Sequence, residues 1–531
     1  MAETASATAR PVRAAEVAAA LCLATDLGMG FPWAHGLEAT AATMRLCDVA
    51  GADEAVRRQA YFLSLLAYAG CAADATVKAE FFGGPITESI VDVIWGTRRE
   101  QMGVVLRSLP DPGAPVPAAV GQTVARLPRA VAHEPREQLA LCEVAQHLSR
   151  HLGLDGVADD LHHLTDRWDG SGVLGRGRGE EIPTALRIVL VARDAAHQAS
   201  VGGSGYAADV IADRAGRAHD PWVAGMLVRH HHEILGEPHE QGATWDEVLA
   251  AEPGTPREIP AEQVDDAVAT LGELADVVGP AWAGRSRAVA ALAGDAAELA
   301  GLDPAEVRHV RRAALLQDVG RISVPARIWH AHRTLSAEDR EHVRLHPYFT
   351  ERVCAASPFL RDLARDAVCH HERLDGSGYH RGLPAAALGV PARLLAAADA
   401  MRSACETPPH GRGLSRAAAV YALGRDVREG RLDAEAVAAV VEAAGLEPPP
   451  LHRPAGLTEQ ESRVVGLVAR GLATKQVART LGISPKTADQ HLQHAYRKIG
   501  VSSRAAVALF AAEHGLLAWG ELLIPRRRTA P

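Results

Sequence analysis

Lysine is almost absent from this sequence. Only Lys78, Lys475, Lys486 and Lys498 occur in 531 residues, and arginine carries nearly all the positive charge. Cysteine is sparse too. The seven residues at 22, 47, 71, 142, 354, 369 and 405 show no C-x-x-C spacing. That excludes a disulfide framework and a zinc ribbon, and fits buried thiols in a reducing cytosol. No apolar run reaches the ~20 residues of a membrane-spanning helix. The apolar stretch at 17–25 is short and flanked by Glu16 and Asp26, so a signal peptide is not expected. Long alternating strand patterns are missing as well. The expectation is a cytoplasmic, all-α chain without a membrane partner, long enough for three or four domains.

The few lysines are unevenly placed. Residues 455–531 carry 11 Lys+Arg against 5 Asp+Glu, a net of +6. The remainder carries 45 against 60, a net of −15. An acidic body with a basic end predicts a polyanionic partner for that end alone.

An internal repeat organises the body. "LLAYAG" at 65–70 matches "LLQDVG" at 315–320, an offset of 250. Residues 34–53 face 284–303 at the same offset. "DRWDGSG" at 166–172 matches "ERLDGSG" at 372–378, now offset by 206, and 182–195 matches 390–400. The first copy therefore holds extra residues, expected to include a Pro-rich loop at 110–121. Pro-rich linkers are expected at 251–263 and 445–455. The predicted order is a first repeat with an insertion at 1–250, then a linker and connecting helix at 251–278. A second repeat follows at 279–445, a linker at 446–455, a terminal domain at 456–520 and a basic tail at 521–531.

The terminal domain has the sharpest punctuation. Thr458 with Glu461 predicts a capping box, and that helix stops at Gly471. Thr474 is expected to cap a second helix ending at Gly482. Ser484-Pro485 open a third that stops at Gly500, and Ser502 or Ser503 caps a fourth. Four short helices with a tight turn between the second and third make a helix-turn-helix. The third would present Lys486, Thr487, Gln490, His491, His494, Arg497 and Lys498 to a DNA major groove.

These residues resemble the LuxR-type DNA-binding domain of response regulators. Glu461, Gly471, Ser484, Lys486, Thr487, His491, Lys498, Gly500 and Arg504 carry the likeness. Ala488 departs from it, since the family usually has Val there. The resemblance implies double-stranded DNA as partner, with Lys475, Ser484, Lys486, Thr487, Gln490, His491, His494, Arg497, Lys498 and Arg504 as the DNA-binding set, and a homodimer reading paired half-sites.

The second repeat ends an apolar helix on Gln317-Asp318. It then offers His346 in "RLHPY", His370-His371 in "HHERLDGSGY" and Asp399 in "AAADA". His and Asp brought from several helices are how a helical bundle builds a metal site. The order resembles the HD-GYP family of metal-dependent cyclic-dinucleotide phosphodiesterases. The resemblance implies a helical fold with a shared metal centre. Its second-metal set is complete here: Asp318, His346, His370 and His371. Its first-metal set keeps Asp318 and Asp399, but Arg285 and Gln317 stand where the family has His. The family's basic phosphate-holding loop falls on Pro408-Pro409-His410-Gly411, without its basic residues. We therefore expect at most one divalent ion (Fe, Mn or Zn), weak or no hydrolysis, and Arg285 as a fixed charge beside Asp318 and Asp399.

The first repeat is more eroded. His35 keeps the early-His position, Ala67-Tyr68 replace the His-Asp pair, and Asp194 matches Asp399. His162-His163 are two positions out of register. A scaffold or sensing role is expected there, and "RHHHE" at 229–233 is expected to be an exposed helix face. The whole layout resembles actinobacterial regulators that join HD domains to a LuxR-type terminus. Sequence alone therefore favours a DNA-binding transcriptional regulator with degenerate HD-GYP-like sensory or scaffold domains, answering a nucleotide or small-molecule signal. The alternative is a metal-dependent phosphohydrolase with an attached DNA-binding domain.

Overall fold

A computed structural model describes residues 11–71, 78, 81–83, 90–236, 243–329, 335–406, 413–448, 454–514 and 516. Among these residues every regular element is a helix, and the only β contacts are isolated bridges such as Arg13 with Glu258. The expected all-α class is correct.

The backbone contacts divide the chain into two units that do not follow linear order. The first holds residues 1–285 and 318–362; the second holds 286–317 and 363–531. The second repeat thus contributes to both, a division the linear reading at 279–445 did not anticipate. The physical cause lies inside the first unit. The almost wholly buried helix Ala14–Met29 packs against the turn Val319–Ser323 and the helix His346–Cys354.

The first unit's core is built from apolar helix faces. Helix His35–Val49 buries Leu37, Leu46 and Cys47, and packs on Glu54–Leu66 and on Thr184–Arg214. The helix Val264–Asp276, expected as part of a connector, buries Val264, Val268, Leu271 and Leu274. The segment before it is also tied down, since Arg257 N–H bonds Glu252 and Arg13 pairs with Glu252. The Pro-rich loop expected over 110–121 is shorter than that. Pro115 is an N-cap, and a helix runs from Val116 to His151. Proline fits the first turn of a helix, where its missing N–H has no intrahelical partner anyway.

In the second unit, helix Pro304–Leu316 starts at an Asp303–Glu306 capping box with proline at its first position. It buries Val307, Val310, Ala313 and Ala314, a three-to-four spacing that makes one apolar face. Helix Val390–Cys405 buries Leu394, Leu395, Ala398 and Asp399 and packs on Arg416–Arg428 and Ala434–Ala443.

The last four helices are Glu459–Ala469, Thr474–Leu481, Pro485–Ile499 and Arg504–Glu513. Their shared core contains Val464, Val465, Val468, Val477, Leu492 and Val507. The predicted caps at Thr458, Ser484 and Ser503 are present, and Gly482 and Gly500 end their helices in the left-handed conformation. One assignment moves. Ala473, not Thr474, is the N-cap of the second helix, and the Gln476 side chain accepts its N–H at 2.8 Å.

Candidate metal centre and nucleic-acid interface

The helix Pro304–Leu316 delivers Gln317 and Asp318 at its end, and a 3-10 turn, Val319–Ser323, follows. Gly320 makes that turn fit. A Cβ there would lie 2.0 Å from the His346 carbonyl oxygen, so only glycine allows the approach. The Gly320 N–H donates to Thr350 Oγ1 at 2.9 Å and locks the turn to the helix that starts at His346.

In the first unit Asp318 is held between two guanidinium groups. Arg285 Nε donates to Oδ2 at 2.9 Å, with both side chains 1% exposed. Arg321 Nε lies 2.9 Å from Oδ1. Arg321 is itself sandwiched near Trp282 and Trp329, 5.7 and 6.0 Å from their ring centres. His346 is buried with Nε2 3.5 Å from Asp318 Oδ1. Its Nδ1 lies 2.6 Å from the Val343 carbonyl oxygen, which fixes the ring with Nε2 on the carboxylate side. The expected charge of Arg285 beside Asp318 is therefore present. The second guanidinium, from Arg321, was not foreseen as a partner of Asp318.

In the second unit Gln317 Nε2 donates to Asp399 Oδ1 at 3.1 Å, with both residues buried. His371 Nδ1 lies 3.5 Å from Asp399 Oδ2, and its ring stacks on Tyr379 at 4.6 Å. His370 is fully buried, and its Nδ1 meets the Ala367 carbonyl at 2.7 Å. As donors for a cation, the imidazoles are well oriented, while the carboxylate of Asp318 already meets two positive groups. Within the first unit, a carboxylate already paired with Arg285 is a poor bridge between two cations. The loop at 407–412, with Pro408, Pro409, His410 and Gly411, lies outside the described residues.

The motif "DGSG" has a structural job in both repeats. Asp375 Oδ1 accepts the Ser377 N–H at 3.0 Å, and Asp169 Oδ1 accepts the Ser171 N–H at 2.9 Å. Each is a side chain folding its own turn. The residue three positions earlier holds the loop beyond. Glu372 accepts the N–H groups of Arg381 and Leu383, and buried Asp166 accepts that of Arg176. A Cβ on Gly378 would lie 2.4 Å from Glu372 Cα, so glycine is required there. Sequence matching found this stretch but not the Glu372 role.

The first repeat keeps no predicted ligand in a ligand's surroundings. Asp194 is paired with Arg214, and its Oδ2 meets His219 Nε2 at 2.6 Å. Burial pushes its carboxyl up, but the hydrogen bonds and charges of His219 and Arg214 outweigh this and hold it below the usual range. His35 is buried against Phe31, and burial first, then the charge of Arg193, pushes it down to about 3. Arg193 lies 4.1 Å over the Tyr68 ring. His162 is exposed, while His163 bonds Asp166 at 2.7 Å. Most of the His-rich stretch is exposed, as expected.

On the third helix of the terminal domain, Lys486, Gln490, His494 and Arg497 are exposed, and Thr487 and His491 are half-buried. Lys475 is exposed on the second helix. Three residues of the expected DNA-contact set also make bonds within the domain. Ser484 Oγ accepts the Thr487 N–H at 3.0 Å as a cap. Lys498 Nζ bonds Glu461 Oε2 at 2.6 Å and the Gly456 carbonyl at 3.0 Å. Arg504 donates to the Leu472 carbonyl. Ala488 is fully buried, so the change from Val empties core volume and alters no surface.

Two known families match this chain. The HD domain family matches residues 270–436, and the LuxR family of bacterial regulatory proteins matches residues 455–511. The chain joins an HD domain to a LuxR-type helix-turn-helix domain. The chain is similar to the 3′3′-cGAMP-specific phosphodiesterase 3 of Vibrio cholerae, 28% identical over 301 residues, which span 55% of this chain and 64% of that one. It is also similar to the cyclic di-GMP phosphodiesterase response regulator RpfG of Xanthomonas campestris, 34% identical over 121 residues, 22% of this chain and 32% of that one. The chain thus spans less than two thirds of the length of these relatives. A crystal structure of a cyclic GMP-AMP-specific phosphodiesterase from V. cholerae superposes with a TM-score of 0.56 at 22% identity. It covers 82% of this chain and 99% of that chain, a likeness of fold that extends well beyond the HD match. No described helix is long and apolar enough to cross a membrane.

Proposed function

We propose that this protein is a transcriptional regulator that binds double-stranded DNA through the helix Pro485–Ile499. The observation that carries the reading is the exposed row Lys486, Gln490, His494 and Arg497 on a helix capped by Ser484. Such a helix N-terminus can reach base edges while flanking cations meet phosphates. Selection of bound fragments from randomised DNA tests it. An enriched motif, bound with an affinity that falls steeply with salt, is expected; no enrichment, or salt-insensitive binding, contradicts it.

We infer that the HD domain serves as a sensory core and not as a working phosphodiesterase. Arg285 occupies the Asp318 carboxylate that a two-metal site would share, and the Gln317 amide occupies Asp399. Neither an amide nor a guanidinium is an ordinary metal ligand. HD domains bind divalent metals, so one divalent ion belongs to this proposal, and a cyclic dinucleotide is the natural candidate for the signal, given what the relatives hydrolyse. Dimerisation on paired half-sites belongs to the same proposal. The second reading, a metal-dependent cyclic-dinucleotide phosphohydrolase, is supported by those relatives and by the oriented imidazoles. Bound metal with turnover would favour it.

A further inference from the structure

The long helix Val116–His151 ends in two histidines four residues apart, His147 and His151. That spacing places both on one helix face. The opposite face is apolar and buried through Cys142, Ala145 and Leu148. Glu273 comes from the helix Val264–Asp276, which packs against the long helix within the same unit. We propose that His147, His151 and Glu273 form a binding site for one borderline divalent transition ion of the Zn2+ class. The site is separate from the Asp318 and His346 cluster and independent of the reading given above for it.

Three observations support this. One ligand atom from each residue lies within 4.8 Å of the other two. The His147 Nε2 to Glu273 Oε2 separation is 3.3 Å. Metal–ligand lengths of about 2.0–2.2 Å at a tetrahedral angle set ligand edges at about 3.3–3.5 Å, so this edge already has the right length. The His151 ring is also prepared. Its Nδ1 lies 3.0 Å from the His147 carbonyl oxygen, and an N–H donated there leaves the lone pair on Nε2. Anchoring the second ring nitrogen in this way fixes tautomer and orientation for a metal.

The exposures suit ion entry. The Glu273 side chain is 16% exposed and that of His147 56%. The carboxylate is set back, the imidazoles stand at the rim, and water can complete a fourth position. Two nitrogens and one carboxylate select zinc, cobalt or nickel over magnesium or calcium, which prefer oxygen. The ion would clamp the long helix to Val264–Asp276. That second helix packs on Ala14–Met29 and on the turn Val319–Ser323 directly after Asp318. Occupancy of this site would therefore stiffen the support of the Asp318 turn.

The test counts zinc bound by the full chain at buffered micromolar free Zn2+, for wild type, His147→Gln/His151→Gln and Glu273→Gln. The HD ligands are intact in all three proteins, so an ion held there adds equally to every count. The double variant is expected to bind one equivalent fewer, and Glu273→Gln to bind that equivalent roughly tenfold or more weakly. Equal stoichiometry and affinity in all three would overturn the site. Both histidines sit away from the apolar face, and circular dichroism checks that the helix content is kept. If the double variant loses it, Glu273→Gln decides alone: unchanged zinc affinity overturns the proposal.

Discussion

Arg285 Nε and Asp318 Oδ2 are 2.9 Å apart, and both side chains are 1% exposed. A charge at that depth is tolerated only when paired. Removing Arg285 leaves Asp318 with Arg321 as its remaining guanidinium, so Arg285→Ala is expected to destabilise the chain, but by less than a fully stranded buried charge would, about 3–5 kcal/mol. Replacing both residues with apolar ones, Arg285→Leu with Asp318→Leu, should cost much less. Urea unfolding of the three proteins checks this. An Arg285→Ala protein as stable as wild type would show that the pair carries no stabilising charge.

The two substituted ligand positions can be reversed. Arg285→His puts an imidazole beside Asp318, and Gln317→His puts one beside Asp399. The double variant is expected to retain one more equivalent of Mn2+ or Fe2+ than wild type after gel filtration, and each single variant less than that. Elemental analysis reads the result, and an unchanged count refutes the assignment of Arg285 and Gln317 as replaced ligands.

The terminal domain separates DNA contact from fold support. Lys486 is exposed at the start of the third helix, whereas Lys498 is bound to Glu461 and to the Gly456 carbonyl. Lys486→Ala should weaken DNA binding and reduce the slope of log affinity against log salt by about 0.9. Lys498→Ala should instead lower the thermal midpoint, with a smaller change in salt slope. Fluorescence anisotropy over a salt series and a melting curve distinguish the two.

Glu461 gives the domain an acid limit. Burial pushes its carboxyl up, but bonds from Lys498 and from Thr458 more than offset this and hold it below its ordinary value of 4.5. A carboxylate with a lowered folded pKa stabilises above the unfolded value, and that contribution is lost as pH falls through the folded one. Stability should therefore drop as pH goes below about 4.5, and Glu461→Gln should flatten that drop while costing stability at pH 7. Denaturant midpoints measured between pH 3 and 7 check the difference.

Local signals were legible in the sequence and distant pairings were not. Thr458 with Glu461, Ser484 with Pro485, and the glycines ending the last helices act within a few residues, so their patterns survive in one dimension. The repeat exposed Asp318, Asp399 and both "DGSG" turns. It could not show that Arg321 joins Arg285 on Asp318, because that geometry depends on how a 3-10 turn aims a flexible side chain. Lys498 reads as a DNA contact by position, yet Glu461, 37 residues earlier, captures it. The division at Gln317–Asp318 was hidden because it arises from helix Ala14–Met29, far away in sequence, packing on the turn after Asp318. His147 and His151 carried a visible i, i+4 signal, but Glu273 supplies the partner that gives it meaning.

Loss of cyclic-dinucleotide hydrolysis in the HD domain is the proposal on which the sensory role rests. Its most direct test incubates the purified chain with 3′3′-cGAMP and cyclic di-GMP in Mn2+ or Fe2+, beside a catalytically active HD-GYP phosphodiesterase as control. With Arg285 on Asp318 and Gln317 on Asp399, both dinucleotides should remain intact over hours. Release of linear dinucleotide at the rate of the control, abolished by Asp318→Ala, would show instead a working phosphodiesterase.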